Sequence, residues 1–323
     1  MDLYPFLDDD PALSRNTIIS SLLREDEIDG KLYRIIPGFT IQTLVGQASV
    51  LGDEPGWNMD EFMSVLEENP QADLPLGIIL SKLDFLKVSL MHTMNDYVDR
   101  EKGTVHFDKD SFIQLLEFAN SFPAESINSQ EPILSGHQIM ISAEYGHIFF
   151  FMSNRTLLGP GTIFKGFPVE NKGGHLLIPH ESIAITVGCR DAEGAWMFIR
   201  SMLLDEFQRN LDLLRSFNEA TFPVNRLVFD EKIDDEMNSR VYSYIGKIVG
   251  SDEWLRIPVP LLSREEADMI EVLLDSLTII TDDEILWNIV SESASDFFRG
   301  QMSAQDAARI IQSRASIYIA EQS

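Results

Sequence analysis

The chain has 323 residues, 44% of them hydrophobic, with 52 acidic against 25 basic side chains and a formal net charge of −27. That is long enough for two lobes and apolar enough for a packed core, which excludes a disordered chain. The acidity excludes nucleic acid and anionic membrane surfaces, which select for Lys and Arg, and the single cysteine, Cys189, excludes a disulfide framework and a thiolate metal cluster.

The opening MDLYPFLDDD has neither a basic n-region nor an apolar h-region, and no apolar run reaches the length that spans a bilayer. Asp8 to Pro11 reads as a turn-rich entry, and Ser14 is placed to cap a short helix through Leu23. Asp29-Gly30 is a tight-turn pair, followed by a strand from Lys31 to Ile36 that Pro37-Gly38 ends. A second strand is expected within Pro37 to Val50. At Gly56-Trp57-Asn58-Met59-Asp60-Glu61-Phe62, Asn58 caps the next helix. Glu61 completes the capping box and Trp57 meets Phe62 as a hydrophobic staple, which explains Trp57 without a ligand.

Leu74 to Tyr97 holds a helix with an apolar stripe at Leu83, Leu86, Leu90 and Met91, and with Asn95 and Tyr97 at its end. Phe107 and Phe112 repeat the staple around a cap at Asp108, and the helix runs to about Ser121, where Phe122-Pro123 stops it. Residues 123–131 are a polar surface loop. Ile133 to Phe151 reads as helix or strand before the buried run HIFFFM, and Gly159-Pro160-Gly161 is a turn. A strand follows over Ser182 to Val187, then a helix over Ala192 to Gln208 with Trp196 and Phe198 in the core. The stretch from Phe229 to Pro260 carries little signal, and Ser263 with Glu266 caps another helix.

The end of the chain is the most strongly patterned. Thr281 is the expected cap of a helix with Glu284 three residues on, and Ile280 and Ile285 the staple. Leu286, Ile289, Val290, Ala294, Phe297 and Phe298 form its apolar stripe. Gly300 ends it, and Ser303 with Asp306 caps a last helix whose buried face is Ala307, Ala308, Ile311, Ala315 and Tyr318.

This ending, with its turn Arg299-Gly300-Gln301-Met302-Ser303 and the later Gln312-Ser313-Arg314, resembles the C-terminus of extracellular solute-binding proteins of ABC transporters. The likeness is to the sugar-binding group that includes maltose-binding protein. Four earlier segments resemble the same group in the same order: the DLYPFL…DGKLYRIIPG run, Gly56 to Phe62, Ala192 to Gln208, and Phe222-Pro223-Val224-Asn225. The resemblance implies a two-lobed α/β fold of the periplasmic-binding-protein type (type II) with a helical C-terminus. Residues 1–37 and 162–212 would form lobe 1, and 41–155 and 213–323 lobe 2. It also implies that lobe 1 is incomplete, lacking its front segment, signal peptide and any lipid-anchor cysteine.

The same resemblance implies a binding module with no catalysis and no cofactor. A carbohydrate is held between lobes that close by a hinge and is presented to the permease subunits of an ABC importer. The full-length family is extracytoplasmic and anchored as a lipoprotein, and the protein is expected to be a monomer. Phe39, Thr40 and Gln42 fall just past the hinge where the family places ligand contacts, with Phe39 equally explained as strand core. Asn95 and Tyr97 fall in a segment that lines the family's cleft. Trp287 has the spacing to Gly300 of a cleft tryptophan, and packing against Ile285 and Phe298 is the alternative. Aromatic faces suit the C–H surfaces of sugars, and amides suit their hydroxyls.

Other chemistry leaves no mark. The six histidines show no zinc-ligand spacing, and the sequence contains no phosphate-binding glycine loop and no nucleophile elbow. Two further readings stay open: a glycosidase-like enzyme with two carboxylates across a cleft, and a truncated fragment that binds nothing.

Overall fold

The computed structural model describes residues 1–76, 80–100, 102–125, 133, 136–170, 173–211, 220–238, 242–247, 254–279 and 283–322. In chain order its first part comprises α1 (Tyr4–Asp8), α2 (Ser20–Asp26), β1 (Glu27–Ile28), β2 (Lys31–Leu32), β3 (Gly38–Gln47), α3 (Ala48–Leu51), α4 (Met59–Glu68) and α5 (Lys82–Tyr97). Next come β4 (Val98–Asp99), β5 (Thr104–Val105), α6 (Asp110–Ala119), β6 (Met140–Tyr145), α7 (Ile148–Leu158), β7 (Thr162–Phe164), β8 (His175–Pro179), α8 (Ala192–Leu203) and α9 (Asp205–Arg209). The last part holds β9 (Phe222–Pro223), α10 (Arg226–Asn238), β10 (Tyr242–Lys247), β11 (Trp254–Val259), α11 (Arg264–Asp275), β12 (Leu277–Ile279), α12 (Glu284–Phe298) and α13 (Ala304–Gln322).

These elements gather into two compact units. The first contains Met1–Gln42, Ala143–Pro160 and His175–Ile279, and the second Thr43–Ser142, Gly161–Gly174 and Ile280–Ser323. The division differs from the expected lobes. Residues 143–155 and 213–279 group with the N-terminal stretch, and 162–174 group with the second unit. Sequence motifs mark helix starts but not which sheet a helix lies against, so the boundaries after residue 142 were not legible.

In the first unit, β8 pairs antiparallel with the first half of β3, from Phe39↔Pro179 to Gln42↔Leu176, and β12 runs parallel to β8. β9 pairs with Gly38 and Phe39. The strand β3 is buried along nearly its whole length, on both faces, and so reads as GFTIQTLVGQ without a polar alternation. Asp29 and Gly30 both have positive φ, 52° and 73°, the backbone a two-residue hairpin between β1 and β2 needs. Away from the sheet, β10 and β11 form an antiparallel hairpin from Tyr242↔Val259 to Lys247↔Trp254.

Arg155 fastens α7 within this unit. It pairs with Glu266 on α11 and donates to the carbonyls of Pro260 and Leu261. Gln208 plays a similar part through the backbone, donating to Pro37 O at 2.8 Å and accepting from Val224 N at 2.8 Å.

Several expected elements are shorter or displaced here. Ser14 caps a single 3-10 turn, Arg15–Thr17, and the helix begins only at Ser20. The strand expected over 31–36 stops at Leu32, and the one expected over 182–187 is a lone bridge between Ile183 and Ile35. The ladder runs instead through His175–Pro179 and ends at a proline, which has no N–H to continue it. The helix expected over 192–208 breaks at Leu204, whose backbone is extended. Trp196 is buried as expected, but Phe198 is 59% exposed on the outer face of α8.

The second unit is built on an aromatic core. Asn58 and Glu61 form the expected capping box of α4, and Trp57 meets Phe62 edge-on at 5.2 Å. The Trp57 indole N–H also donates to Gly166 O at 2.8 Å, so the buried ring leaves no polar atom unpaired. Val45 to Gln47 of β3 pair with β7 in this unit. Helix α5 starts at Ser81 with its own capping box and buries Phe85, Leu86 and Leu90, so Phe85 replaces the expected Leu83. Phe107 and Phe112 make the expected staple at 5.0 Å, but Lys109, not Asp108, occupies the cap position and α6 ends at Ala119. The loop expected over 123–131 lies mostly outside the described residues.

Helix α12 buries Leu286, Ile289, Val290 and Ala294, and Gly300 follows it with φ 73°. Its cap is Asp283, whose Oδ1 accepts from Leu286 N at 2.9 Å. The expected cap Thr281 and staple residue Ile280 lie outside the described residues, and Ile285 is 55% exposed. Ser303 caps α13 as expected, its Oγ accepting from Asp306 N at 3.0 Å.

Candidate functional site

Three of the residues expected at the ligand lie on β3 in the first unit. Phe39 has no exposed surface, and its ring lies 5.6 Å from Phe222. Thr40 is buried and its hydroxyl donates to Glu144 Oε1. Gln42 is half-buried and in register with Leu176. The other three belong to the second unit. Tyr97 is buried, with its ring 5.7 Å from Phe107 and 5.3 Å from Phe112. Burial pushes its phenol up to about 12, against an opposing hydrogen bond with Ser111. Asn95 is exposed on α5.

Trp287 packs against the second unit's core while staying partly exposed, and Lys87 Nζ lies 5.8 Å from the centre of its ring. Helices α5 and α12 run antiparallel: Arg100, just past α5, meets Asp283 at the start of α12, and Lys82 Nζ lies 5.8 Å from the Phe298 ring at its end. Phe39 and Tyr97 are therefore corrected to core residues, because an enclosed ring offers no face to a solute. Gln42, Asn95 and Trp287 keep polar or aromatic surface. A half-exposed indole with an ammonium near its face supplies an apolar plane for C–H groups and a donor for hydroxyls.

Charge at the start of α12 is concentrated on Asp283. The residue accepts from Leu286 N, from Arg100 and, at 3.1 Å, from the Tyr318 hydroxyl. Burial alone would raise its carboxyl, but these three donors hold it below the usual carboxylate range. Trp287 N in turn donates to Asp283 O at 2.9 Å, so this network fixes the helical turn that carries the indole. Sequence spacing could not find it, since Arg100 and Tyr318 are far from Asp283 along the chain.

The first unit also encloses a small cavity, with room for about one water molecule. His147 and Ile148 at the start of α7, Phe222 of β9, and Lys232 and Glu236 of α10 line it. It is too small for a sugar ring. Among the described residues no group of His, Cys, Asp and Glu has the arrangement of a metal site, and no helix is long and apolar enough to cross a membrane.

No protein-family model matches the sequence, and no curated protein matches it. Solved structures do match. The sugar-binding protein MalE of Xanthomonas citri superposes with a TM-score of 0.60 over 100% of this chain and 79% of its own, at 12% identity. The chain has the two-lobed fold of the periplasmic solute-binding proteins. A family 1 extracellular solute-binding protein of Alicyclobacillus acidocaldarius gives 0.57 over 99% of this chain and 79% of its own, at 13% identity. The maltose-bound MalE3 of T. maritima gives 0.56 over 98% and 80%, at 13% identity. At such identities the likeness is one of fold. The first two of these neighbours are named as binding proteins, and the third is named as bound to maltose. In this solute-binding fold the helix–glycine–helix ending, α12–Gly300–α13, packs into the core of the second unit through Ala307, Ala308 and Ile311.

Proposed function

We propose that the protein is the solute-binding component of an ABC importer and that its solute is a carbohydrate. The observation that carries this reading is the fold likeness over essentially the whole chain to proteins named for sugars. A chitin oligosaccharide binding protein and a cycloalternan-bound Listeria monocytogenes protein share it, with TM-scores of 0.54 and 0.56. The two compact units serve as the two lobes. In the second unit Trp287 supplies an aromatic face and Asn95 a polar contact, and in the first unit Gln42 supplies a polar contact, while the buried Phe39, Thr40 and Tyr97 hold their backbones in place from the core. The protein binds and releases without catalysis, works as a monomer outside the cytoplasm, where the full-length family is anchored as a lipoprotein, and delivers its solute to permease subunits.

A thermal-shift screen with oligosaccharides of different linkage tests this reading. Any one sugar that stabilises the fold in a saturable way supports it, because binding only the folded state raises the melting temperature. A panel in which amino acids or peptides stabilise and sugars do not would replace the carbohydrate with another solute class.

A further inference from the structure

We propose that His147 is a pH-operated cap of helix α7. The helix begins at Ile148, and His147 is its N-cap residue. The cap bond is specific: Phe149 N donates to His147 Nδ1 at 3.1 Å. A nitrogen that accepts carries no proton, so the neutral ring holds its proton on Nε2. The same Nδ1 lies 3.9 Å from Glu236 Oε1, across the cavity on α10. Both side chains are enclosed, with 10% and 2% of their surface exposed. One nitrogen thus has two alternative uses. Unprotonated, it caps α7; protonated, it loses the lone pair that holds Phe149 N–H and gains an N–H directed at a carboxylate one small ring movement away.

Among the described residues, the charged groups lining the cavity with His147 are Glu236 and Lys232, both on α10. Glu236 favours the imidazolium and Lys232 opposes it. The Tyr242 hydroxyl, from β10, donates to the same Glu236 oxygen at 3.0 Å. β9 contributes only Phe222, and Arg155, the basic residue of α7, is held by Glu266. His147 and Glu236 both line the cavity. The proton comes from solvent, and the exchange is one bond for another: Phe149 N–H···Nδ1 is broken and Nδ1–H···Oε1 is formed. Acidification that protonates Nδ1 loosens the first turn of α7. That turn adjoins Gly146, whose backbone abuts Ala220 and Thr40. The inference holds whatever solute the protein binds.

The test is amide and imidazole NMR of the full chain between pH 8 and pH 5. At high pH His147 should be the Nε2–H tautomer, and the Phe149 amide should shift with the same midpoint as the His147 ring. Glu236→Gln should weaken proton binding at His147 about tenfold or more, and Lys232→Met, at a half-exposed position, should strengthen it severalfold. His147→Asn keeps a cap and should leave the Phe149 amide insensitive to pH. A Phe149 amide that stays constant while His147 titrates would overturn the proposal. So would a neutral ring protonated on Nδ1, or a midpoint that Lys232→Met does not move.

Discussion

Replacing Asp283 with alanine removes three interactions at once, and each has a known scale. Loss of the N-cap bond to Leu286 N costs about 1 kcal/mol. The Tyr318 hydroxyl bond is worth roughly 0.5–1.5 kcal/mol. Arg100 is 41% exposed, so its pair with Asp283 contributes like a surface ion pair, no more than about 1 kcal/mol. Together Asp283→Ala should destabilise the unit that contains α12 by about 2–3 kcal/mol. Asp283→Asn keeps a good cap and should cost about 1 kcal/mol. Urea unfolding followed by far-ultraviolet circular dichroism measures both, with the transitions of the two units fitted separately if they part.

The pH dependence has a definite sign. The folded carboxyl lies below the unfolded one, so the unfolded state binds more protons between the two values and stability rises with pH there. The gap between wild type and Asp283→Asn should be full above about pH 4 and shrink as the pH falls through the depressed folded value. An alanine variant within about 0.5 kcal/mol of wild type would mean that another residue caps α12 and that the network does not hold the Trp287 turn.

Trp57→Ala should cost about 3–5 kcal/mol, read by the same urea method, because a fully enclosed ring and its bond to Gly166 O are both lost. Gly146→Ala should leave little soluble protein, since its Cβ would lie 1.7 Å from Ala220 O, a backbone atom that cannot step aside. Soluble expression and gel filtration check this. Trp287→Ala should keep the fold, as the indole is only partly buried, yet weaken sugar binding about thirtyfold, the equivalent of ~2 kcal/mol for an aromatic anchor.

The legible features were those whose physics is local. Asn58 with Glu61, Ser263 with Glu266 and Ser303 with Asp306 all cap helices as the spacing implies, because both partners lie within one turn. Asp283 shows where this fails: a capping box at Thr281 is equally good on spacing, while Asp283 is the residue that Arg100 and Tyr318 also engage. Strands were the weaker part. The run 182–187 is as apolar as 175–179, and only the partner β3, chosen in three dimensions, decides between them. The site was legible to the same extent. Resemblance pointed to Phe39 and Tyr97 by position, but their burial depends on Phe222, Phe107 and Phe112, which spacing did not connect to them. Lys87, by contrast, entered only once the antiparallel pairing of α5 and α12 brought it to the indole of Trp287.

Calorimetric titration of the protein with a panel of neutral oligosaccharides, repeated on Trp287→Ala, is the most direct test of a carbohydrate-binding role. The expected result is a saturable one-to-one isotherm for at least one sugar and an affinity about thirtyfold lower in the variant. No heat with any sugar, or one that the variant binds as tightly as wild type, would contradict the carbohydrate role in the first case and the place of Trp287 in the site in the second.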